Sequence, residues 1–213
     1  MTKRFVIVAG NIGVGKSSLV SLLCKKLNWA PLLEPEAENP YLVDFYRDMA
    51  AWGFHSQIFF LSRRLKLHQT LMSQSESIVI DRSIYEDAEI FAQNLFIQGS
   101  LSQRDYQTYR SLYENFVSLL PPPDLVIYLR ASVPTLLDRI NRRGRLYEAN
   151  FNAHYLGLLN NLYEDWIANF TLCPVLIIPA DRLDFVSKPE HLDTVVTRLQ
   201  EKLAGKDEVH FDD

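Results

Sequence analysis

The strongest constraint in this chain lies near its start. An apolar run at 5–9 leads straight into Gly10-Asn11-Ile12-Gly13-Val14-Gly15-Lys16-Ser17-Ser18, and an apolar-periodic helix pattern follows at about 16–27. This is the spacing of a phosphate-binding loop in its required strand–loop–helix context. Each part has a physical task. Glycines let the backbone turn tightly and aim its N–H groups at phosphate oxygens. The helix N-terminus adds the positive end of its dipole. Lys16 can bridge the β- and γ-phosphates, and the Ser17 hydroxyl can hold Mg²⁺. Motif and context together indicate a nucleoside-triphosphate site, not merely a glycine-rich turn that starts a helix. The guanine-reading Asn-Lys-x-Asp and the Asp-x-x-Gly of GTP switches occur nowhere in the sequence. A phosphotransferase therefore ranks ahead of a regulatory GTPase.

A strand ending in such a loop belongs to a parallel sheet, and the rest of the chain agrees. Short runs rich in Val, Ile and Leu at 5–9, 31–33, 78–80, 125–129 and 175–178 lack polar alternation, as strands covered on both faces do. Between them lie helical patterns at about 16–27, 42–51, 56–73, 85–98, 102–119, 133–142, 152–170 and 189–203. The expected fold is α/β, a single three-layer domain over residues 1–204 with a five-stranded parallel sheet. Pro121-Pro122-Pro123 stops one helix before the fourth strand, and 205–213 reads as a polar, frayed tail.

Composition excludes several classes of function. At 213 residues, with 47% apolar and 23% charged side chains, the chain is neither disordered nor fibrous. A net charge of −4 suits neither duplex DNA nor an anionic membrane, so no nucleic-acid or membrane partner is expected. Two cysteines, Cys24 and Cys173, cannot make a disulfide scaffold, and packing is their expected role in a reducing compartment. The run at 5–9 is too short for a signal-peptide core, and no stretch reaches the ~18 apolar residues of a membrane span. A cytoplasmic location is the expectation. The five histidines show no metal-ligand spacing.

In open α/β sheets, ligands bind beyond the carboxyl ends of the strands. The second run ends in Glu34-Pro35 and the third in Asp81-Arg82-Ser83. Carboxylates there could take a proton from an acceptor hydroxyl and help hold magnesium. From the residues alone, Glu34 could equally cap a helix or lie at the surface, and Arg82 could form a plain salt bridge.

Longer blocks carry a family resemblance. Glu34-Pro35, Asn39-Pro40, Phe45-Tyr46, Trp52, Phe54, Gln57 and Arg64 resemble the deoxynucleoside kinases in order and spacing. So do Asp81-Arg82-Ser83-Ile84-Tyr85-Glu86-Asp87 and Arg139-Ile140-Asn141-Arg142-Arg143-Gly144-Arg145 with Glu148. The resemblance implies a sheet order 2-3-1-4-5, a homodimer, and ATP with Mg²⁺ as cofactors. It implies Glu34 as general base for the deoxyribose 5′-hydroxyl and Arg82 as the group that steadies it. Tyr46 and Glu148 would bind the 3′-hydroxyl. Gln57, Arg64 and Asp87 would read the base, with Phe54 sandwiching it. Arg139, Arg143 and Arg145 would close over the phosphates, and the loop containing Asp184 and Phe185 would pack on adenine. Asp81 stands where the family usually has Glu, and its shorter side chain would reach magnesium, alongside Ser17, more easily through water.

Elementary chemistry agrees in part. A loose phosphoryl-transfer transition state spreads charge over three oxygens, which converging arginines stabilise. Arginines near a helix C-terminus also favour the dipole, and Arg142 reads as solvated. The reading is phosphorylation of a deoxynucleoside, a purine or deoxycytidine, at its 5′-hydroxyl. Two alternatives stand beside it: a nucleoside monophosphate kinase, which would need extra cationic groups for an acceptor phosphate, and a non-catalytic nucleotide-binding partner protein.

Overall fold

A computed structural model describes residues 3–33, 38–145, 148 and 151–205, with only the backbone at 70–73. The expected tail beyond 205 lies outside the described residues. Five strands, β1 (Phe5–Gly10), β2 (Ala30–Leu32), β3 (Ile78–Asp81), β4 (Leu125–Arg130) and β5 (Val175–Pro179), form one sheet in the order β2-β3-β1-β4-β5. Every pairing is parallel, as the apolar runs without alternation require. All residues of β1 and β3 are buried, whereas the edge strands β2 and β5 are partly open. Each fully buried Val or Ile contributes roughly 1.5–3 kcal/mol, so the middle of the sheet is the stable core.

Register decides where the chemistry gathers. Val8 pairs with Asp81, and Gly10 with Leu129, so β1 and β3 end side by side at one rim of the sheet. Helix α1 (Lys16–Leu27) leaves β1 at that rim and packs on one face of the sheet beside α9 (Pro189–Leu203). The other face carries α3 (Met49–Ser73), α6 (Gln103–Val117) and α8 (Ala153–Asn169), together with a continuous helix over 84–97. Among the described residues, no helix is long and apolar enough to cross a membrane.

Two helices depart from the sequence expectation. The pattern at 42–51 breaks at Asp48, into α2 (Leu42–Arg47) and the start of α3. Asp48 is the cause: it is extended (φ −146°, ψ 89°) and its side chain accepts from Ala51 N at 3.0 Å, capping the new helix. The second is the 84–97 helix. It starts as α4 (Ile84–Glu86), widens into a π-helical segment at Asp87–Ala92, and ends as α5 (Gln93–Ile97). Its start is fixed by a capping box, in which Ser83 and Glu86 satisfy each other's backbone N–H groups. Helix α7 (Val133–Arg143) carries a proline in its first turn and ends at Gly144 in the left-handed region (φ 67°).

Candidate active site

The phosphate loop is held in a shape that only its glycines permit. A Cβ on Gly10 (φ 144°) would lie 2.7 Å from the Leu129 carbonyl oxygen, and one on Gly13 (φ 83°) 2.7 Å from the Ile140 side chain. The loop is also tied to α8: Asn11 Nδ2 donates to Leu156 O at 3.0 Å and to Asn160 Oδ1 at 2.7 Å. Lys16 is buried, and its Nζ donates to Gly10 O at 2.9 Å and Asn11 O at 3.1 Å. The Ser17 hydroxyl donates to Asp81 Oδ2. Hydroxyl and carboxylate thus meet at the mouth of the loop, and such hard oxygen donors fit Mg²⁺.

At the end of β3 the backbone turns sharply. Arg82 has φ 65°, a left-handed conformation rare for a residue with a side chain, and its N–H donates to Val8 O at 3.1 Å. The turn aims its guanidinium back over the Phe91 ring, 4.3 Å from the centroid. Strain of this kind clusters at functional sites, where surrounding contacts hold it. Arg82 Nη1 also donates to the Tyr163 hydroxyl at 3.2 Å.

A cavity of about 380 Å³ opens in front of these groups. Its walls include Gly13, Gly15, Lys16, Ser17 and Ser18 from the loop, and Tyr46, Gln57, Arg82 and Asp87 from the far side. Arg139, Arg143 and Arg145, the arginines expected to close over the phosphates, also border it. Gln57 is buried, and its Oε1 has no hydrogen-bond partner among the described residues. A buried amide of that kind invites a polar ligand.

Several expected contacts fall elsewhere. Arg64 is fully buried and does not line the cavity; its Nε donates to Asp87 Oδ2 at 3.0 Å and its Nη1 to Asp81 O at 3.2 Å. Its charge is engaged behind Asp87, so only Asp87 of that pair faces the cavity. Phe54 does not line it either, because the aromatic walls come from Phe45, Tyr46, Phe60, Phe91 and Tyr155. Phe54 instead lies edge-on to His55 at 6.4 Å. Glu34 lies outside the described residues.

Arg139, Arg143 and Arg145 make two kinds of contact. Arg139 bonds backbone carbonyls, with Nη1 donating to Val14 O at 2.8 Å and Nη2 to Ala180 O at 2.7 Å and Leu183 O at 3.3 Å. That fastens the phosphate loop to the loop after β5, a duty beyond the phosphate closure expected of it. Arg143 grips the buried Glu148 with two nitrogens, Nε to Oε2 at 3.1 Å, and Arg145 Nη1 lies 3.5 Å from Glu148 Oε1. Glu148 does not line the cavity, whereas Tyr46 does. Arg142 is exposed and pairs with Asp138 at 2.8 Å. In the loop after β5, the half-buried Asp184 carboxylate accepts from Val186 N and Ser187 N, which makes it a turn former. The Phe185 ring is the part that reaches the site, 3.4 Å from where a Cβ on Gly15 would lie.

Two residues of the site were not singled out from the sequence. Glu86 is completely buried, and its Oε1 accepts from Gly10 N at 3.2 Å. The Tyr163 hydroxyl lies 2.8 Å from both Glu86 Oε1 and Gly10 O. Burial raises the Glu86 pKa above its ordinary value, an effect opposed by the nearby Arg82 and Lys16 charges. The Ser-x-x-Glu spacing of Ser83 and Glu86 was the available signal for one of the two, as a helix-capping box.

Comparison with known proteins meets this geometry. The sequence pattern described as "Deoxynucleoside kinase" matches residues 6–204. A deoxyadenosine/deoxycytidine kinase of Bacillus subtilis (strain 168) is 39% identical over 196 residues, covering 91% of this chain and 90% of that protein. A deoxyguanosine kinase of Lactobacillus acidophilus is 33% identical, covering 93% and 90%. Among solved structures, deoxyadenosine kinase from M. mycoides with the products dCMP and a flexible dCDP bound has a TM-score of 0.82 at 31% identity, covering 92% of this chain and 98% of that one. Members of such a group draw phosphate from a nucleoside triphosphate, the donor for which the loop at Gly10–Ser17 is shaped. The likeness extends over nearly the whole length in sequence and in fold alike, and the chain belongs to the deoxynucleoside kinase family, a family of phosphotransferases.

Proposed function

We propose that this kinase transfers the γ-phosphoryl group of ATP to the 5′-hydroxyl of a purine deoxynucleoside or of deoxycytidine. One observation carries the reading: a single cavity runs from Lys16 and Ser17 of the phosphate loop to Gln57 and Asp87, a carboxamide and a carboxylate able to read a base edge. Glu34 takes the 5′-hydroxyl proton, and Arg82 steers the attacking oxygen. Lys16, Arg143 and Arg145 stabilise charge on the transferring group. Ser17 and Asp81 hold Mg²⁺, which supplies further neutralisation of the phosphates. Tyr46 and Glu148 anchor the 3′-hydroxyl.

The test is a panel of the four deoxynucleosides with ATP, reporting kcat/KM for each, repeated with Glu34→Gln. Deoxyadenosine, deoxyguanosine or deoxycytidine leads, and Glu34→Gln lowers kcat by ~10²–10⁴ with little change in nucleoside affinity. A thymidine-preferring enzyme, or a Glu34→Gln variant that binds poorly but turns over normally, refutes this assignment. We also propose a homodimer built on the face where Tyr85, Tyr113, Trp166 and Phe170 line an open groove; sedimentation at micromolar concentration checks it, and a monomer there rejects it.

A further inference from the structure

The Tyr163 hydroxyl is a junction of three groups. It accepts from Arg82 Nη1 at 3.2 Å and stands 2.8 Å from each of two acceptors, Glu86 Oε1 and Gly10 O. Its ring is completely buried, stacked on Tyr128 of β4 at 5.7 Å, so the hydroxyl cannot drift. Glu86 reaches the same point from the opposite side. Its Oε2 accepts from Ser83 N at 2.9 Å and faces the Ser83 hydroxyl at 3.1 Å, while its Oε1 accepts from Gly10 N. Gly10 O is in turn an acceptor for Lys16 Nζ. The ends of β1 and β3 are thereby joined through side chains, in addition to the strand ladder.

Two cations meant for one phosphoryl group must keep a fixed spacing, and a misplacement of about 1 Å can cost on the order of 10²-fold in rate. Arg82 sits on a strained backbone and Lys16 opens α1 directly after a loop whose glycines have positive φ, so neither backbone supplies that rigidity alone. The buried hydroxyl and carboxylate do, because a fully satisfied polar network in a low-dielectric interior is stiff.

We propose that Glu86 and Tyr163 are positioning residues for phosphoryl transfer, locking Arg82 to Gly10 so that Arg82 and Lys16 meet the transferring group as one unit. The proposal rests on the reading of Arg82 and Lys16 as groups that act on that phosphoryl group.

Tyr163→Phe tests it, since the ring and its stacking on Tyr128 remain while the junction is lost. The expected result is a kcat lowered by about 10- to 100-fold, with KM for ATP and nucleoside changed by no more than about threefold. A thermal melt shows the variant folded at the assay temperature. In an Arg82→Ala background the same substitution costs less than about twofold, because residues acting through one partner are not additive. Glu86→Gln, measured in the same two backgrounds, follows the same pattern and stands in if Tyr163→Phe fails to fold. A kcat within twofold of the parent, a loss confined to KM, or an equal loss in both backgrounds overturns the proposal while leaving the Arg82 reading intact. An Arg82→Ala enzyme with full kcat overturns both.

Discussion

Arg64 donates through Nε to Asp87 Oδ2 at 3.0 Å, and the two side chains are 0% and 4% exposed. In the proposed base-reading role, Arg64 therefore acts only by way of Asp87. It holds that carboxylate, which lines the cavity, in place as an acceptor. An exocyclic amine, as on adenine or cytosine, supplies the donor that such a wall requires. The O4 of thymine brings a second acceptor with no proton between, a mismatch of ~2–4 kcal/mol or about 30- to 1000-fold. Thymidine is expected to be the poorest of the four deoxynucleosides. Replacing the pair together, Arg64→Met with Asp87→Ala, avoids stranding one buried charge and raises thymidine relative to deoxyadenosine. Equal slowing of all four substrates would mark the pair as purely structural.

Lys16 is the most direct test of phosphate chemistry. Its ammonium bonds the Gly10 and Asn11 carbonyls of the loop proposed to cradle the phosphates, and a single preorganised contact to developing charge is worth about 3–4 kcal/mol. Lys16→Ala is expected to lose roughly 10³-fold in kcat/KM with ATP, read in a coupled ADP assay beside a thermal melt. A folded variant with unchanged rate contradicts the phosphate-loop role.

In the proposed reading, Glu148 ties the 3′-hydroxyl to Arg143 and Arg145. Arg143 holds it with two nitrogens, so its oxygens have little freedom to turn. A site built to bond the 3′-hydroxyl leaves polar groups unpaired when that hydroxyl is missing, and 2′,3′-dideoxynucleosides should lose about 10- to 100-fold in kcat/KM. Tyr46→Phe combined with Glu148→Gln should erase most of that preference, mainly through a higher KM for normal substrates. Parent enzyme that accepts dideoxynucleosides equally well argues against both residues.

The sequence exposed what is periodic or local, and concealed what depends on distant partners. All five strands were legible as apolar runs; β1, β3 and β4, covered on both faces, fell within a residue of their expected ends. The phosphate loop was legible because its chemistry is contiguous from Gly10 to Ser17. Asp48 was missed as a helix start because the apolar pattern runs across it without interruption. The π-helical segment at Asp87–Ala92 left no trace, since one extra residue in a turn barely disturbs periodicity over so short a stretch. Arg139 was expected to close over the phosphates, whereas its bonds to Val14, Ala180 and Leu183 carbonyls, which join three separate segments, had no local signal. Tyr163 belongs to the buried stripe of α8 and looks like any core aromatic until the fold brings Gly10, Arg82 and Glu86 to its hydroxyl.

His68 makes the stability of this enzyme depend on pH. It is fully buried on α3, edge-on to Phe5 at 5.4 Å, and neither ring nitrogen has a hydrogen-bond partner among the described residues. Burial, and then the Arg64 charge one turn away, lower its pKa to about 4. The unfolded chain holds the ordinary value near 6.5, so between these values it binds a proton that the folded enzyme refuses. The sign follows: the neutral imidazole's contribution is complete above about pH 6.5 and is lost as pH falls towards 4. A depression of this size corresponds to about 3 kcal/mol in full, and to about 2 kcal/mol between pH 7.5 and 5.0. Urea unfolding at those two pH values measures it. His68→Leu keeps an apolar side chain in the same place without a proton site, and its stability should fall less than that of the parent by about that 2 kcal/mol. Identical losses in parent and variant would show that the imidazole titrates normally in the folded enzyme.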